Sequence, residues 1–144
     1  MTPTSASAPE VLADTSVAVA LVVADHQHHD RTVDAIGGRR VGLSGHAVFE
    51  TFSVLTRLPP PARRPPSVVV ALLRDNFPEN RFLSPDHTAA LPGVLAAAGI
   101  AGGAVYDALV AAAAVEHGLD LVTRDRRALA TYRALGADLE VVAG

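Results

Sequence analysis

Short apolar runs alternate with longer amphipathic stretches along this chain of 144 residues. The first run, residues 11–13, ends at Asp14 and leads into the apolar stretch 17–23, a pattern typical of a buried strand that turns into a helix. Residues 119–123 repeat the pattern near the other end of the chain and are soon followed by Asp125. An acidic residue therefore follows the carboxyl end of each of these two predicted strands.

Turn and cap residues divide the rest of the chain into further short elements. Gly37 and Gly118 each end a predicted helix, and Ser44, Ser67 and Ser84 are expected to cap the starts of three others. Strands that alternate with helices predict an α/β fold in which helices cover both faces of a mainly parallel sheet. The remaining strands are predicted at residues 39–43, 81–83 and 139–142.

The composition limits the chemistry that the chain can perform. It contains no cysteine and no lysine, so all twelve basic residues are arginine. This composition excludes thiol nucleophiles, thiolate metal sites and Schiff bases, and a bound metal must be held by oxygen or imidazole ligands. A net charge of −3 gives no general attraction to nucleic acid, so such binding would need a local basic patch or bound cations.

The length fits one domain, which we expect at residues 10–144, after a leader of residues 1–9 that is predicted to be disordered. The first ten residues lack the positive charge of a signal peptide, and Asp14 and Asp25 interrupt the apolar stretch that follows. A membrane-spanning helix needs about twenty apolar residues in a row, and none is expected here. A cytoplasmic protein without membrane contact is predicted.

An acidic quartet stands where a parallel sheet would bring its members together: Asp14, Glu50, Asp107 and Asp125. The two aspartates that follow strands belong at the carboxyl edge of the sheet, where α/β proteins bind ligands. The other two acids lie in predicted helices that could reach the same edge. Crowded carboxylates repel one another unless cations neutralise them, and oxygen ligands suit Mg²⁺ or Mn²⁺. The quartet therefore predicts a divalent-metal site that could activate water beside a phosphate.

Each acid also has a purely structural interpretation. Asp14 and Asp125 are suited to cap the helices that follow them. Glu50 lies close to the apolar stripe of its helix, where a salt bridge with an arginine would explain it. Asp107 is harder to explain in this way, because the surrounding residues 105–110 offer little polar face and an unpaired acid there would be costly.

Other residue types give weaker signals. The histidines of the segment DHQHHD fit a solvated loop better than a metal site. The helical spacing of Phe49 and Phe52 indicates core packing, which argues against a base-stacking surface. The arginines best positioned to contact an RNA backbone stand beside Asp125: Arg124, Arg126 and Arg127.

Four segments carry the acidic quartet along the chain: LADTSV, HAVFETFSVLTRL, YDALVAAAAVEHG and LVTRDRRAL. In order and approximate spacing, they resemble the PIN-domain ribonucleases, and among them the VapC toxins of bacterial toxin–antitoxin pairs. They lie within residues 11–129, which make up nearly the whole chain. The resemblance implies a three-layer α/β/α fold and hydrolysis of RNA phosphodiesters by an activated water at a divalent-metal site.

The resemblance also implies roles for individual residues. The acidic quartet matches the family's catalytic acids, with Asp14 and Asp107 as direct metal ligands. Thr15 and Thr123 match hydroxyl positions that orient carboxylates or water. The implied cofactor is Mg²⁺, with Mn²⁺ as a substitute. The implied partners are an RNA substrate, a VapB-like antitoxin and a second copy of the chain in a homodimer.

Two other functions agree with the same residues. A structure-selective DNA nuclease, or an RNA-processing enzyme without toxicity, would use the same metal site on the same fold. A catalytically silent interaction domain would use the acidic pocket to receive an arginine from its partner. Cleavage of folded RNA compared with branched DNA separates the nucleases, whereas partner binding without metal-dependent cleavage would identify the silent domain.

Overall fold

The computed structural model describes residues 8–143, which form four strands and seven α-helices around one sheet. The strands lie in the order β2-β1-β3-β4, and all of these pairings are parallel, so the predicted parallel sheet is confirmed. The strands are β1, Val11–Ala13; β2, Val41–Leu43; β3, Leu121–Thr123; and β4, Leu139–Val141.

The helices follow the predicted order, with small shifts at their ends. None of the helices in residues 8–143 is long and apolar enough to cross a bilayer. The predicted leader of residues 1–9 falls mostly on residues 1–7, which lie outside the described residues, and it stays a prediction, as does the single domain. The helices are α1, Thr15–Val22; α2, His29–Ile36; α3, Ala47–Arg57; α4, Pro66–Asn76; α5, Pro85–Ala97; α6, Ala104–His117; and α7, Leu129–Ala134, which follows a short 3₁₀ helix, Arg126–Ala128.

Side chains of β1 alternate between two cores, as the two-residue period of a strand requires. Val11 and Ala13 pack with the helices α1, α3 and α4, while Leu12 packs on the opposite face with α6 and α7. Burial on both faces explains why the central strands β1 and β3 do not alternate between apolar and charged residues. The result is the three-layer α/β/α arrangement that the resemblance implies.

Three local predictions are wrong. Residues 81–83 form no strand, and Arg81 makes only an isolated parallel bridge to Ser44. Ser44 does not cap α3, because it is fully buried and its hydroxyl donates to a backbone carbonyl of α6 at 2.6 Å. The helix α4 begins one residue before Ser67 and has Pro65 as its N-cap, without a side-chain cap.

The helix α3 turns one face to the core and leaves another exposed. Ala47, Thr51 and Leu55 are buried at four-residue spacing, which is one stripe of the helix. Phe52, next to this stripe, packs against the core as predicted. The core packing predicted for Phe49 is wrong, because Phe49 lies two residues away from the stripe and is 61% exposed.

Gly42, in the middle of β2, permits a close approach between two backbone segments. A Cβ atom at Gly42 would lie 2.4 Å from the backbone oxygen of Glu79 and 3.1 Å from the side chain of Pro9. The approaching segment is held in place, since the Leu43 N–H donates to the Asn80 side chain at 2.8 Å. Space, rather than an unusual backbone angle, therefore requires glycine at this position.

We expect Gly42→Ala to lower the free energy of unfolding by roughly 1–3 kcal/mol, because the methyl group can be accommodated only by moving backbone. Gly38→Ala is the matched control: a Cβ there meets no atom within 4 Å and its φ is not positive. The control should be unchanged or slightly more stable. Urea unfolding followed by circular dichroism measures both variants, and equal stabilities would contradict the close approach.

Candidate active site

An open cleft of about 360 Å³ lies beyond the carboxyl ends of β1 and β3. The structure brings all members of the acidic quartet to its walls, from four different parts of the chain. Thr15 lies on the same wall as Asp14 and also lines the cleft. The other charged or hydrogen-bonding side chains that line it are Ser16, His26, Arg124, Arg127 and Tyr132.

Asp14 is the buried member of the quartet, with 3% of its surface exposed. It caps α1, since its Oδ1 accepts the Val17 N–H at 3.2 Å, and Ser16 donates to the same oxygen at 2.6 Å. Tyr132 donates to Oδ2 at 2.9 Å, and Thr123 donates to it as well. Burial raises the pKa of Asp14 above its ordinary value, although these hydrogen bonds act in the opposite direction. Asp14 therefore caps α1 and lines the cleft at the same time.

Glu50 reaches the cleft from the first turn of α3. Thr15 donates to its Oε2 at 3.1 Å, and His46 Nε2 lies 3.5 Å from its Oε1. Among residues 8–143, Glu50 does not form the salt bridge with an arginine that would explain it structurally. The arginine of the same helix, Arg57, lies in the last turn and cannot reach the first.

Arg127 joins the two remaining acids. Its guanidinium lies 3.6 Å from Asp107 Oδ2 and 3.0 Å from Asp125 Oδ2. Asp125 also caps the 3₁₀ helix, because its Oδ1 accepts the Arg127 N–H at 3.0 Å. Burial raises the pKa of Asp107; Arg127 lowers it, and the other three acids add to the effect of burial. The cleft therefore concentrates negative charge that Arg127 only partly offsets.

The three arginines predicted to contact RNA differ in their surroundings. Arg124 lines the cleft, and its Nε atom is buried without a hydrogen-bond partner in the part of the chain that the structure describes. Arg127 is paired with acids, and Arg126 is exposed and does not line the cleft. Of the three, Arg124 is therefore the arginine that lines the cleft and forms no ion pair with an acid within residues 8–143.

The sequence patterns do not predict that Tyr132 and His26 line the cleft. Tyr132 is 2% exposed, and burial together with the charge of Asp14 raises its pKa, so its hydroxyl remains a protonated donor. The available signal was the rule that a buried tyrosine hydroxyl needs a partner. His26 belongs to the segment expected to be a solvated loop, yet it lines the cleft, where partial burial and the charge of Arg124 lower its pKa.

The donors in the cleft have the chemistry of a Mg²⁺ or Mn²⁺ site, but their side chains are held apart. Among residues 8–143, no three acidic or histidine side chains are gathered as a ready-made metal site. Hydrogen bonds hold both oxygens of Asp14, and Arg127 occupies Asp107 and Asp125. Carboxylate oxygens are nevertheless the preferred ligands of these ions, and the charge around Asp107 is what a cation would neutralise.

The fold and the site together define the class of protein. It is a parallel α/β protein with an acidic cleft at the carboxyl edge of its sheet. The family model of the PIN domain matches residues 11–134, and the chain belongs to the PIN-domain family.

The VapC-like resemblance carried by the four sequence segments is confirmed by two relatives. Ribonuclease VapC27 of Mycobacterium tuberculosis (strain ATCC 25618 / H37Rv) is 47% identical over 135 residues, which cover 94% of this chain and 98% of the relative. Ribonuclease VapC40 of Mycobacterium tuberculosis (strain CDC 1551 / Oshkosh) is 45% identical over 131 residues, which cover 90% and 96%.

A solved structure agrees with the fold. The crystal structure of PAE2754 from Pyrobaculum aerophilum superimposes with a TM-score of 0.54 at 25% sequence identity. The match covers 91% of this chain and 90% of that chain, so the shared fold extends over both proteins.

The raised pKa of Asp107 predicts how stability depends on pH. Between the ordinary carboxyl pKa of 3.8 and the higher folded value, the folded state binds more protons than the unfolded state. The contribution of this group to stability therefore falls as pH rises through that window. We expect Asp107→Asn to be more stable than wild type at neutral pH, by roughly 0.5–1 kcal/mol, and to lose less stability on the way up from acid pH.

Urea unfolding in EDTA at a series of pH values measures this difference. Asp138→Asn serves as control, because Asp138 is an exposed acid in the loop between α7 and β4. Its stability curve should run parallel to that of wild type. A parallel curve for Asp107→Asn would contradict the prediction.

Proposed function

We propose that this protein is a Mg²⁺-dependent endoribonuclease that hydrolyses RNA phosphodiester bonds and acts as a toxin held inactive by a VapB-like antitoxin. One observation carries the proposal: the acidic quartet converges on one open cleft. The likeness of nearly the whole chain to a protein named as a ribonuclease supports the choice of RNA as substrate.

Asp14 and Asp107 are the proposed metal ligands, with Glu50 and Asp125 beside them. When bound, the cation supplies Lewis-acid chemistry and neutralises charge at the phosphate. Hydroxyl groups of the chain orient the acids: Thr15 holds Glu50 Oε2, while Thr123 and Tyr132 hold Asp14 Oδ2. Arg127 lies 3.6 Å from Asp107 Oδ2, so a cation that binds this oxygen would have to displace the guanidinium.

Water is the proposed nucleophile. Its oxygen attacks phosphorus and gives up one proton, the bond from phosphorus to the leaving oxygen breaks, and the leaving oxygen takes up a proton. No covalent protein intermediate is proposed: the hydroxyls of Thr15, Ser16 and Thr123 donate to carboxylates and are proposed to orient them. Arg124 is proposed to bind the phosphate as a charged donor, because it lines the cleft and pairs with no acid among the described residues.

We expect Asp14→Asn and Asp107→Asn each to lower RNA cleavage at least roughly 100-fold, because each removes a charge from the proposed site. Total RNA is incubated with each protein in Mg²⁺, Mn²⁺ or EDTA, and new 5′ ends are mapped. Asp86→Asn, the exposed acid of α5, should cleave like wild type. Full activity of either active-site variant, with folding verified by circular dichroism, would refute the assignment of that residue.

Metal binding can be tested without turnover. Isothermal titration of Mg²⁺ into the RNA-free protein should give heat of binding for wild type and for Asp86→Asn. The same titration into Asp107→Asn should give markedly weaker binding, since one of the two proposed ligands has lost its charge. Equal binding by all three proteins would remove Asp107 from the ligand set.

Arg124→Gln should weaken binding of single-stranded RNA and reduce the slope of log affinity against log salt by about 0.7, the loss of one phosphate contact. Arg133→Gln, an exposed arginine of α7, is the control and should change neither quantity. Fluorescence anisotropy in EDTA over a range of salt concentrations measures both. An unchanged salt slope in Arg124→Gln would contradict the proposed phosphate contact.

The antitoxin, a homodimer and a cytoplasmic location complete the proposal and rest on the family likeness. One observation favours the second candidate, a silent interaction domain with an acidic pocket. Arg127 pairs with Asp107 and Asp125 inside the cleft, so a guanidinium fits among these acids. Tight binding of a protein encoded beside this one, combined with no metal-dependent cleavage of RNA or branched DNA, would favour that candidate.

A further inference from the structure

Four rings form an exposed aromatic patch: His46, Phe49, Phe82 and Tyr106. Phe49 is 61% exposed, Tyr106 53% and Phe82 46%. His46 stacks on Tyr106 with ring centroids 5.2 Å apart and planes inclined by 23°. The ring of Phe49 lies 6.3 Å from that of His46 and 6.3 Å from that of Phe82. The four rings thus lie beside one another, and those of Phe49, Phe82 and Tyr106 are largely exposed to solvent.

The aromatic patch is continuous with the acidic cleft. His46 Nε2 lies 3.5 Å from Glu50 Oε1, so the edge of one ring touches a member of the quartet. Phe49 directly precedes Glu50 in α3, and Tyr106 directly precedes Asp107 in α6. The first turns of these two helices therefore each contribute an acid to the cleft and a ring to the patch.

The patch is not explained by the packing of the fold. The buried stripe of α3 consists of Ala47, Thr51 and Leu55, and Phe49 lies outside it. The buried residues of α6 begin at Ala108, after Tyr106. Exposed rings forgo the stabilisation that burial of apolar surface would provide, about 25 cal/mol for each Å². A contiguous exposed apolar patch beside a site is typical of a ligand-binding surface.

We propose that the aromatic patch stacks a base of single-stranded RNA next to the phosphodiester bound in the acidic cleft; this rests on the proposed function. Every nucleic-acid base presents a flat π surface, and aromatic side chains bind such surfaces with little dependence on sequence. The patch has polar atoms at its rim, His46 Nε2 and the Tyr106 hydroxyl, which suit the polar edges of a base. An RNA bound with its phosphate in the cleft brings the neighbouring nucleotide to this rim.

The test uses a short single-stranded oligoribonucleotide that carries one 2-aminopurine, whose fluorescence is quenched when the base stacks. Binding is measured in EDTA so that cleavage does not interfere. Wild type should quench the fluorophore at one or two positions along the oligonucleotide. Phe49→Ala and Tyr106→Ala should lose the quenching and bind roughly 5- to 100-fold more weakly.

Two variants control for a general loss of apolar surface or of folding. Phe49→Tyr keeps a ring and should retain quenching. Val70→Ala removes an exposed apolar side chain of α4, 53% exposed, on another helix, and should bind like wild type. Cleavage of total RNA in Mg²⁺ is measured in parallel, where the alanine variants should raise KM more than they lower kcat.

Each result has a defined meaning. Quenching and affinity that survive in both alanine variants, with cleavage intact in wild type, would overturn the stacking proposal and leave the ribonuclease proposal standing. A wild-type protein that neither binds nor cleaves RNA would overturn both. If the alanine variants instead convert a dimer to a monomer in analytical ultracentrifugation, the patch is an interface between copies of the chain and the stacking proposal fails.

Discussion

The burial of Asp14 is the constraint on which the rest of the site depends. A buried carboxylate is costly unless donors surround it, and the donors come from several parts of the fold: the start of α1, the end of β3 and the short helix α7. Thr123 and Tyr132 are 109 and 118 residues away from Asp14 in sequence, so these bonds tie the two ends of the chain together. The same bonds fix the position of the carboxylate at the carboxyl edge of the sheet.

Around this fixed carboxylate the chain collects more negative charge than a stable fold needs. The burial of Asp107 and the charges of its neighbours act in the same direction on its pKa, and Arg127 provides only partial compensation. An arrangement of this kind lowers stability at neutral pH, so a structural role alone does not explain the position of Asp107. Changing Asp107 to Asn would relieve this electrostatic repulsion. Such repulsion is expected at a cation-binding site when no cation is bound.

The sequence was informative where one physical rule acted alone. Strands β1 and β3 are apolar on both faces and end at acids, so the strands and the edge at which Asp14 and Asp125 meet were predictable from local pattern. Prediction failed where distant residues decide the outcome. Ser44 stands where a helix cap is expected, but its hydroxyl donates to a backbone carbonyl of α6. Residues 81–83 have the composition of a strand, but in the structure they contribute one isolated bridge. Tyr132 could not be joined to Asp14 from spacing alone.

Helical periodicity wrongly predicted that Phe49 of α3 packs in the core. The reason for this error bears on function. Successive residues of a helix point about 100° apart, so a helix start at the edge of a cleft can direct one side chain inward and its neighbour onto the rim. Phe49 with Glu50, and Tyr106 with Asp107, are such pairs. Because each pair shares one rigid helical turn, the distance between ring and acid is fixed by backbone geometry rather than by loop conformation. A base held on the rings would therefore hold its phosphate at a constant position relative to the carboxylates, which is the condition that hydrolysis by a positioned water requires.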